Sequence, residues 1–64
     1  MQLVINGTAT EVTATTLGDL LTELGHTGTV ATALNETFVP VGARATQTLS
    51  PGDRIEILAP MQGG

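Results

Sequence analysis

The residues Met1-Gln2-Leu3-Val4-Ile5-Asn6-Gly7 decide how this 64-residue chain begins to fold. Met1, Leu3 and Ile5 alternate with Gln2, Val4 and Asn6, and this period of two indicates a β-strand that is buried on one face. Asn6-Gly7 is a strong hairpin signal, because both residue types adopt positive φ readily. A segment rich in β-branched residues follows over residues 8–13, as strands favour. The stretch therefore predicts a β-hairpin.

A helix is predicted directly after the hairpin. Thr16 is a suitable N-cap, and Asp19 stands three residues later, in a weaker form of the capping box. Asp19 would also lie near the positive end of the helix dipole. Gly25 is typical of the left-handed residue that ends a helix. The helix has one apolar stripe that should face a core, formed by Leu17, Leu20, Leu21 and Leu24.

Three more strands are predicted in the second half of the chain. They cover residues 30–34, 37–39 and 54–58, with turns at residues 35–36 and 50–53. The last strand alternates charged residues with isoleucine, which indicates one buried face. The strand at 30–34 mixes small and β-branched residues, so its sequence does not decide which of its two faces is buried.

The segment between the last two strands carries weaker signals. Pro40 ends the short strand or marks it as an edge, because proline donates no ladder hydrogen bond. Residues 41–48 show no periodicity and are predicted to form a surface loop, with Leu49 as an anchor to the core. Asp53 is expected to serve the turn that precedes the last strand.

The order β-β-α-β-β-β predicts an α+β fold. One helix on one face of a mixed five-stranded sheet buries the leucine stripe and the one-sided strands together. The first strand would pair in parallel with the last, with the helix in the crossover, which is a β-grasp arrangement. We expect one domain over residues 1–59 and a flexible tail over residues 60–64.

Composition excludes several classes of function. The net charge is −4, with six acidic residues against Arg44 and Arg54, and there is no lysine or cysteine. A nucleic-acid-binding protein needs a basic surface, and disulfides, thiolate chemistry and cysteine metal sites need cysteine. An acidic body suits a partner with a basic docking surface, although acidity also keeps a small domain in solution.

Other classes of site and compartment are also disfavoured. His26 has no second histidine or cysteine to form a metal site and is expected beside the helix end. No nucleophile–base pair is present, so the chain is not expected to be an enzyme. We expect no bound cofactor. No signal peptide is visible and no apolar run reaches the ~20 residues of a membrane span, so we expect a cytoplasmic protein without membrane attachment.

The final Gly63 and Gly64 are the predicted functional end of the chain. Glycine has no side chain to pack and loses the most entropy when it is ordered, so the pair stabilises nothing and leaves a thin chain end. Pro60 would stiffen the exit from the domain, and Met61 is adaptable at interfaces; with Gln62 they form the predicted tail. The alternative is an ordinary exposed linker.

A docking face is predicted on the side of the sheet away from the helix. If Leu3 and Ile5 face the helix together with the isoleucines of the last strand, an apolar group is left on the opposite face. Phe38 has an alternative as a core residue, because a lone phenylalanine is often buried. The charged residues of the last strand could pair across strands or with a partner. The candidates are Leu58, Val4, Phe38, Arg54 and Glu56.

Four segments in order carry a resemblance to a known family. They are Met1-Gln2-Leu3-Val4-Ile5-Asn6-Gly7, Ala31-Thr32-Ala33-Leu34-Asn35-Glu36-Thr37-Phe38-Val39-Pro40, Gly52-Asp53-Arg54-Ile55-Glu56-Ile57 and Pro60-Met61-Gln62-Gly63-Gly64. On these segments the chain resembles, over essentially its whole length, the ubiquitin-like sulfur-carrier proteins and most closely those of thiamine thiazole biosynthesis. Val41 stands where many relatives carry a basic residue, and Arg44 could take that place.

The resemblance implies a chemistry for the terminal carboxylate. An E1-like (ThiF-type) enzyme would consume ATP to adenylate Gly64. A sulfur donor, such as a cysteine desulfurase or a rhodanese-type protein, would then convert it to a thiocarboxylate. A thiazole synthase (ThiG-type) would take the sulfur.

Other functions remain open at this point. The same carrier chemistry could serve molybdopterin synthesis or another sulfur-transfer route. A protein modifier would form isopeptide bonds, and a regulatory β-grasp module would not need the diglycine.

Overall fold

The computed structural model describes residues 1–26 and 28–59. Within these ranges the α+β fold is confirmed: five strands form one mixed sheet in the order β2-β1-β5-β3-β4, with one α-helix. The predicted tail over residues 60–64 lies outside the described residues. The elements are β1 (Gln2–Ile5), β2 (Thr8–Glu11), α1 (Leu17–Glu23), β3 (Ala31–Leu34), β4 (Thr37–Val39), a 3₁₀-helix (Val41–Ala43) and β5 (Arg54–Leu58).

The two hairpins of the sheet turn through residues with positive φ. In the β1–β2 turn φ is 49° at Asn6 and 84° at Gly7, and in the β3–β4 turn φ is 48° at Asn35 and 72° at Glu36. Two consecutive positive values are the signature of the two-residue hairpin turn that matches the twist of the strands. Both predicted turns are confirmed.

The helix begins and ends as its sequence predicts. The hydroxyl of Thr16 accepts a hydrogen bond from the backbone N–H of Asp19 at 3.2 Å, which is the N-cap interaction. At the other end Gly25 has φ of 81°. The N–H of His26 donates to the carbonyl of Leu21 at 2.9 Å, which completes a Schellman motif.

The connection from β2 to α1 is fastened by Glu23, in the last turn of the helix. Its carboxylate accepts hydrogen bonds from the backbone N–H of Thr13 at 3.0 Å, the Thr13 hydroxyl at 3.0 Å and the N–H of Ala14 at 2.8 Å. The backbone bond from Thr13 is the main cause that lowers the pKa of Glu23, because hydrogen bonds to the charged form favour it. A charged side chain outside the leucine stripe therefore sets where the chain enters the helix.

The core lies between the helix and one face of the sheet. Leu17 and Leu20 are fully buried against Leu3, Ile55 and their neighbours. Leu24 of the predicted stripe is partly buried. The same face of β3 carries Thr32, which is 2% exposed and donates its hydroxyl proton to the carbonyl of Val39 at 3.0 Å. The sequence did not decide which face of β3 is buried. The structure shows that it is the face with Thr32, whose hydroxyl is hydrogen-bonded, as buried polar groups usually are.

The segment over residues 41–48 is more ordered than the predicted loop. It contains the 3₁₀-helix, and Thr48 forms an isolated bridge with Thr16. Carbonyl groups of Gln47 and Arg44 accept the N–H groups of Leu17 and Gly18 at 2.9 and 3.0 Å. These N–H groups have no partner inside the helix. The segment therefore satisfies two backbone donors in the first turn of α1. Leu49 is 8% exposed, which confirms it as a core anchor.

The last strand of the chain lies in the middle of the sheet. β5 pairs in parallel with β1 and antiparallel with β3, as the β-grasp prediction requires. The turn before it is confirmed as well: φ is 86° at Gly52, and the Asp53 carboxylate accepts the N–H of Ser50 at 2.8 Å. This placement puts the first half of β5 between β1 and β3, whereas its C-terminal end pairs with β3 alone.

Candidate functional site

The face of the sheet opposite the helix brings the predicted docking residues together. In β5, Arg54, Glu56 and Leu58 are exposed and alternate with buried isoleucines. The register places Val4 beside Arg54, and Ala33 is the partner of Glu56 on one side and Phe38 on the other. Paired residues in a sheet share a face. All five candidates therefore lie on one surface, which we call the open face: Val4, Phe38, Arg54, Glu56 and Leu58.

The open face has an apolar half. Phe38 and Leu58 are 65% and 64% exposed, so Phe38 is a surface residue and its alternative as a core residue is wrong. Ala31 and Ala33 lie in β3 between the two large side chains. Their small side chains leave a shallow depression of about 90 Å³ whose accessible lining is almost entirely apolar. Exposed large apolar groups around a depression are typical of a protein-binding surface.

The other half of the open face is charged. Arg54 forms an ion pair with Glu36 of the β3–β4 turn at 3.6 Å. A second depression, of about 210 Å³, lies beside this pair and is also lined by Val4. Glu56 lines both depressions and so stands at the boundary between the apolar and the charged half. A carboxylate at that position can accept hydrogen bonds from a cationic side chain of a partner.

Arg44 does not present its charge to a partner in the way the sequence suggested. Its guanidinium donates to the hydroxyl of Thr32 at 3.1 Å and to the carbonyl of Val30. Arg44 thereby connects the end of the 3₁₀-helix to the start of β3. Val41, which stands where many relatives carry a basic residue, is 71% exposed. Arg44 therefore has a structural function, and an apolar side chain stands exposed at position 41.

Two asparagines that the sequence analysis assigned only to turns hold the central strand from both sides. Asn6 bonds Ile57 through both atoms of its side-chain amide, at 2.8 and 3.1 Å. The side-chain oxygen of Asn35 accepts the N–H of Arg54 at 2.9 Å. The amide nitrogen of Asn35 donates to Asp53 at 3.1 Å. The turns at both asparagines could be predicted from the sequence. Their hydrogen-bond partners could not, because those residues are distant along the chain.

The predicted reactive end follows directly from the open face. β5 ends at Leu58, and Ala59 is the last residue that the structure describes. Pro60, Met61, Gln62, Gly63 and Gly64 lie outside the described residues, so their predicted role stays a prediction. Leu58 is thus both a member of the open face and the last residue of the strand that leads to Gly64.

The described residues offer neither a metal-binding cluster nor a membrane-spanning helix. Over residues 1–26 and 28–59, no group of three or more histidine, cysteine, aspartate or glutamate side chains is placed to hold a metal ion. His26 is exposed beside the end of α1. In the same part of the chain, no helix has the length and apolar character needed to cross a membrane.

Comparison with known proteins gives the family. The model of the ThiS family matches residues 3–64. The chain belongs to the ThiS family. A search among curated proteins gave no match.

Two solved structures from Geobacter metallireducens are similar to this ThiS-family chain. The first is a crystal structure of a thiamine biosynthesis protein (ThiS), with a TM-score of 0.85 and 29% identity over 100% of both chains. The second is an NMR solution structure of a thiamine biosynthesis protein, with a TM-score of 0.79 and 29% identity. It matches over 100% of this chain and 88% of the other. The ubiquitin-like β-grasp fold is thereby confirmed.

Membership of the ThiS family supports the role of a sulfur carrier that is not itself a catalyst. The matched range includes the diglycine and every residue of the open face. The features that the structure adds are the arrangement of that face and the two asparagines that fix β5.

Proposed function

We propose that this chain carries sulfur on its C-terminal carboxyl group and delivers it for thiazole formation in thiamine biosynthesis. The observation that carries the proposal is the family match, which runs through the diglycine to Gly64. It is supported by full-length similarity to a structure described as a thiamine biosynthesis protein. The open face, continuous with the strand that leads to Gly64, provides a surface on which partners can recognise the body.

The proposed cycle activates the carboxyl group of Gly64, replaces one of its oxygens by sulfur and then regenerates it. A carboxylate oxygen attacks the α-phosphorus of ATP, the bond from that phosphorus to pyrophosphate breaks, and an acyl adenylate is left. Sulfide, released from the persulfide of the sulfur donor by a thiol reductant, then forms a C–S bond as the C–O bond to AMP breaks. At the thiazole synthase the C–S bond is cleaved with addition of water, the sulfur passes to the thiazole precursor, and the carboxylate is regenerated.

The composition of the tail fits a reaction inside the active sites of other proteins. Such a site must exclude water from a reactive acyl adenylate, and two glycines offer no side chain that would block a narrow channel. Ordering the tail there costs about 1–2 kcal/mol per residue. Contacts between the partner and the open face offset this cost, with Phe38 and Leu58 as anchors and Glu56 as the acceptor for a basic side chain.

The proposed partners are those of the family chemistry. They are an E1-like adenylating enzyme that consumes ATP, a sulfur donor and a thiazole synthase. The net charge of −4 favours partners whose docking surfaces are basic. The cytoplasmic setting, in which all these reactions would take place, stays a prediction.

Intact-protein mass spectrometry tests the proposal directly. The chain is incubated with ATP, the adenylating partner and the sulfur donor, and the expected product has one oxygen replaced by sulfur at Gly64. A variant that lacks Gly64 is the matched control and should keep its mass. If the unaltered chain also keeps its mass with every cognate partner, the carrier function is wrong.

A genetic test separates the thiazole route from the alternative. A strain that lacks this chain is expected to grow only when thiazole is supplied. A requirement for molybdopterin instead would select the other sulfur-transfer route. Appearance of the chain in isopeptide linkage to other proteins would identify a modifier.

A further inference from the structure

We propose that Asn6 is a positioning residue for the C-terminal segment, because its side-chain amide prolongs the β1–β5 ladder past the end of β1 and fixes the direction in which the chain leaves the sheet. The inference deepens the proposed function and rests on it. Asn6 touches no reacting atom and acts through the backbone of Ile57.

The geometry shows a side chain in the place of a peptide group. The N–H of Val4 donates to Asp53 and the N–H of Asn6 donates to Ile55, both at 2.9 Å. The next β5 residue on this side is Ile57, but β1 has ended at Ile5 and the chain turns away. The side-chain oxygen of Asn6 accepts the Ile57 N–H at 2.8 Å, and its side-chain nitrogen donates to the Ile57 carbonyl at 3.1 Å.

The requirement for asparagine exceeds what the turn needs. Positive φ at the first turn position is also available to glycine and aspartate. Only a primary amide offers an acceptor and a donor in the spacing of a peptide group, since an ionised aspartate accepts hydrogen bonds but donates none. The two hydrogen bonds of the side-chain amide thus explain the presence of asparagine at position 6 better than the turn alone does.

Asn35 forms the matched counterpart at the other end of β5. It also follows the end of a strand, β3, and also has positive φ. Its backbone N–H donates to the Arg54 carbonyl at 2.7 Å, and its side-chain oxygen accepts the Arg54 N–H at 2.9 Å. Asn35 therefore fixes where β5 begins, whereas Asn6 fixes where β5 ends.

The end of β5 is the part whose direction matters for the carboxylate. Gly64 follows Ile57 by seven positions, and a chain of that length reaches at most roughly 23–25 Å. Release of β5 at Ile57 adds residues to the segment that a partner must order in its active site, and the conformational entropy lost on ordering each added residue opposes that step. A partner that has docked on the open face therefore receives the carboxylate most readily when β5 is held up to its end, and misplacement lowers turnover.

Steady-state adenylation kinetics test the proposal. The full-length chain and its Asn6→Gly, Asn6→Asp and Asn35→Gly variants are assayed by ATP–pyrophosphate exchange with the E1-like adenylating partner, at varied carrier concentration. Glycine keeps positive φ at both positions. Aspartate is close in size to asparagine and should fold, but it places an oxygen against the Ile57 carbonyl.

The expected result is a split between kcat and KM. For Asn6→Gly and Asn6→Asp we expect kcat to fall about tenfold while KM for the carrier changes by less than about twofold, since the open face is intact. For Asn35→Gly we expect kcat to stay within about twofold of the unaltered chain. Hydrogen exchange should show faster exchange of the Ile57 amide in the Asn6 variants only.

Two contrary results are distinguishable. If the unaltered chain supports exchange and the Asn6 variants match Asn35→Gly in kcat, the positioning role is wrong and the carrier function stands. If the unaltered chain supports no exchange with its partner, the carrier function fails and the positioning role fails with it.

Discussion

The side-chain amide of Asn6 forms two hydrogen bonds with the peptide groups of Ile57, a residue 51 positions later in the sequence. Asn6 also has the positive φ that the first hairpin requires. One residue thus turns the chain at its beginning and holds the strand at its end. Asn35 repeats the arrangement at Arg54, so the central strand is fixed through both hairpin turns.

Removal of either asparagine amide should destabilise the fold at a different end of β5. Asn6→Gly deletes the side-chain hydrogen bonds to the backbone of Ile57, and Asn35→Gly deletes the one to the backbone of Arg54. We expect each variant to lower the free energy of unfolding by about 1–3 kcal/mol. Urea denaturation measures the loss. The two variants control for each other: amide exchange should rise at Ile57 in the first and at Arg54 in the second, and a rise at both sites in both variants would contradict the separate roles.

Truncation of the apolar anchors should weaken binding and leave stability unchanged. Leu58→Ser and Phe38→Ser each remove an exposed apolar side chain from the open face, and we expect each to weaken binding to the adenylating partner by about 1–3 kcal/mol. Calorimetric titration measures the affinity. Val41→Ser is the control, because Val41 is similarly exposed but lines neither depression. An equal loss for Val41→Ser would argue against the open face as the docking surface.

The two arginines should differ in their effect on stability. Arg44→Ala removes bonds from a charged group to Thr32 and Val30 and should lower the free energy of unfolding by about 1–3 kcal/mol. Arg54→Ala removes an exposed ion pair and should cost about 0–1 kcal/mol. Both variants lose one positive charge, so net charge is controlled. Thermal or urea unfolding distinguishes them, and equal losses would show that the internal contacts of Arg44 contribute nothing.

Glu23 should make the fold sensitive to acid. Its pKa is lowered in the folded chain, first of all by the hydrogen bond from the Thr13 N–H. A lowered pKa gives a stabilisation that is fully present above the unfolded-state value, about 4.3, and is lost as the pH falls through the lower folded-state value. We expect Glu23→Gln to be less stable than the unaltered chain at neutral pH and closer to it in acid. A difference that does not change with pH would refute the role of the charge. Glu56→Gln is the control, because Glu56 is an exposed carboxylate of the same type in β5.

The sequence predicts those parts of the fold whose signals are local. Asn6-Gly7, the cap at Thr16, the stop at Gly25 and the alternation in β5 each lie within a few residues, and each is found in the structure. From these the parallel pairing of the first strand with the last follows by topology. The docking candidates could be placed on one face for the same reason, because alternation along β5 decides which side chains point away from the helix.

What the sequence left open depends on partners that are distant along the chain. The buried face of β3 contains Thr32, whose hydroxyl is satisfied by Val39 and Arg44, so hydrophobicity alone could not identify it. The segment over residues 41–48 is held by hydrogen bonds to the first turn of α1, and no periodicity in the sequence predicts such contacts. The amide bonds of Asn6 to Ile57 require the order of the strands to be known first.

The position of β5 has a consequence for the synthesis of the chain. The hairpins β1–β2 and β3–β4 are local and can form as soon as their residues emerge, but the strand that joins them is the last of the described elements to be made. A nascent chain that stops before Arg54 lacks the strand that joins the two hairpins, so its sheet is incomplete. Because non-local strand pairing is the slow step of folding, the native sheet can form only after translation has passed residue 58, when the segment that precedes the reactive end is already being added.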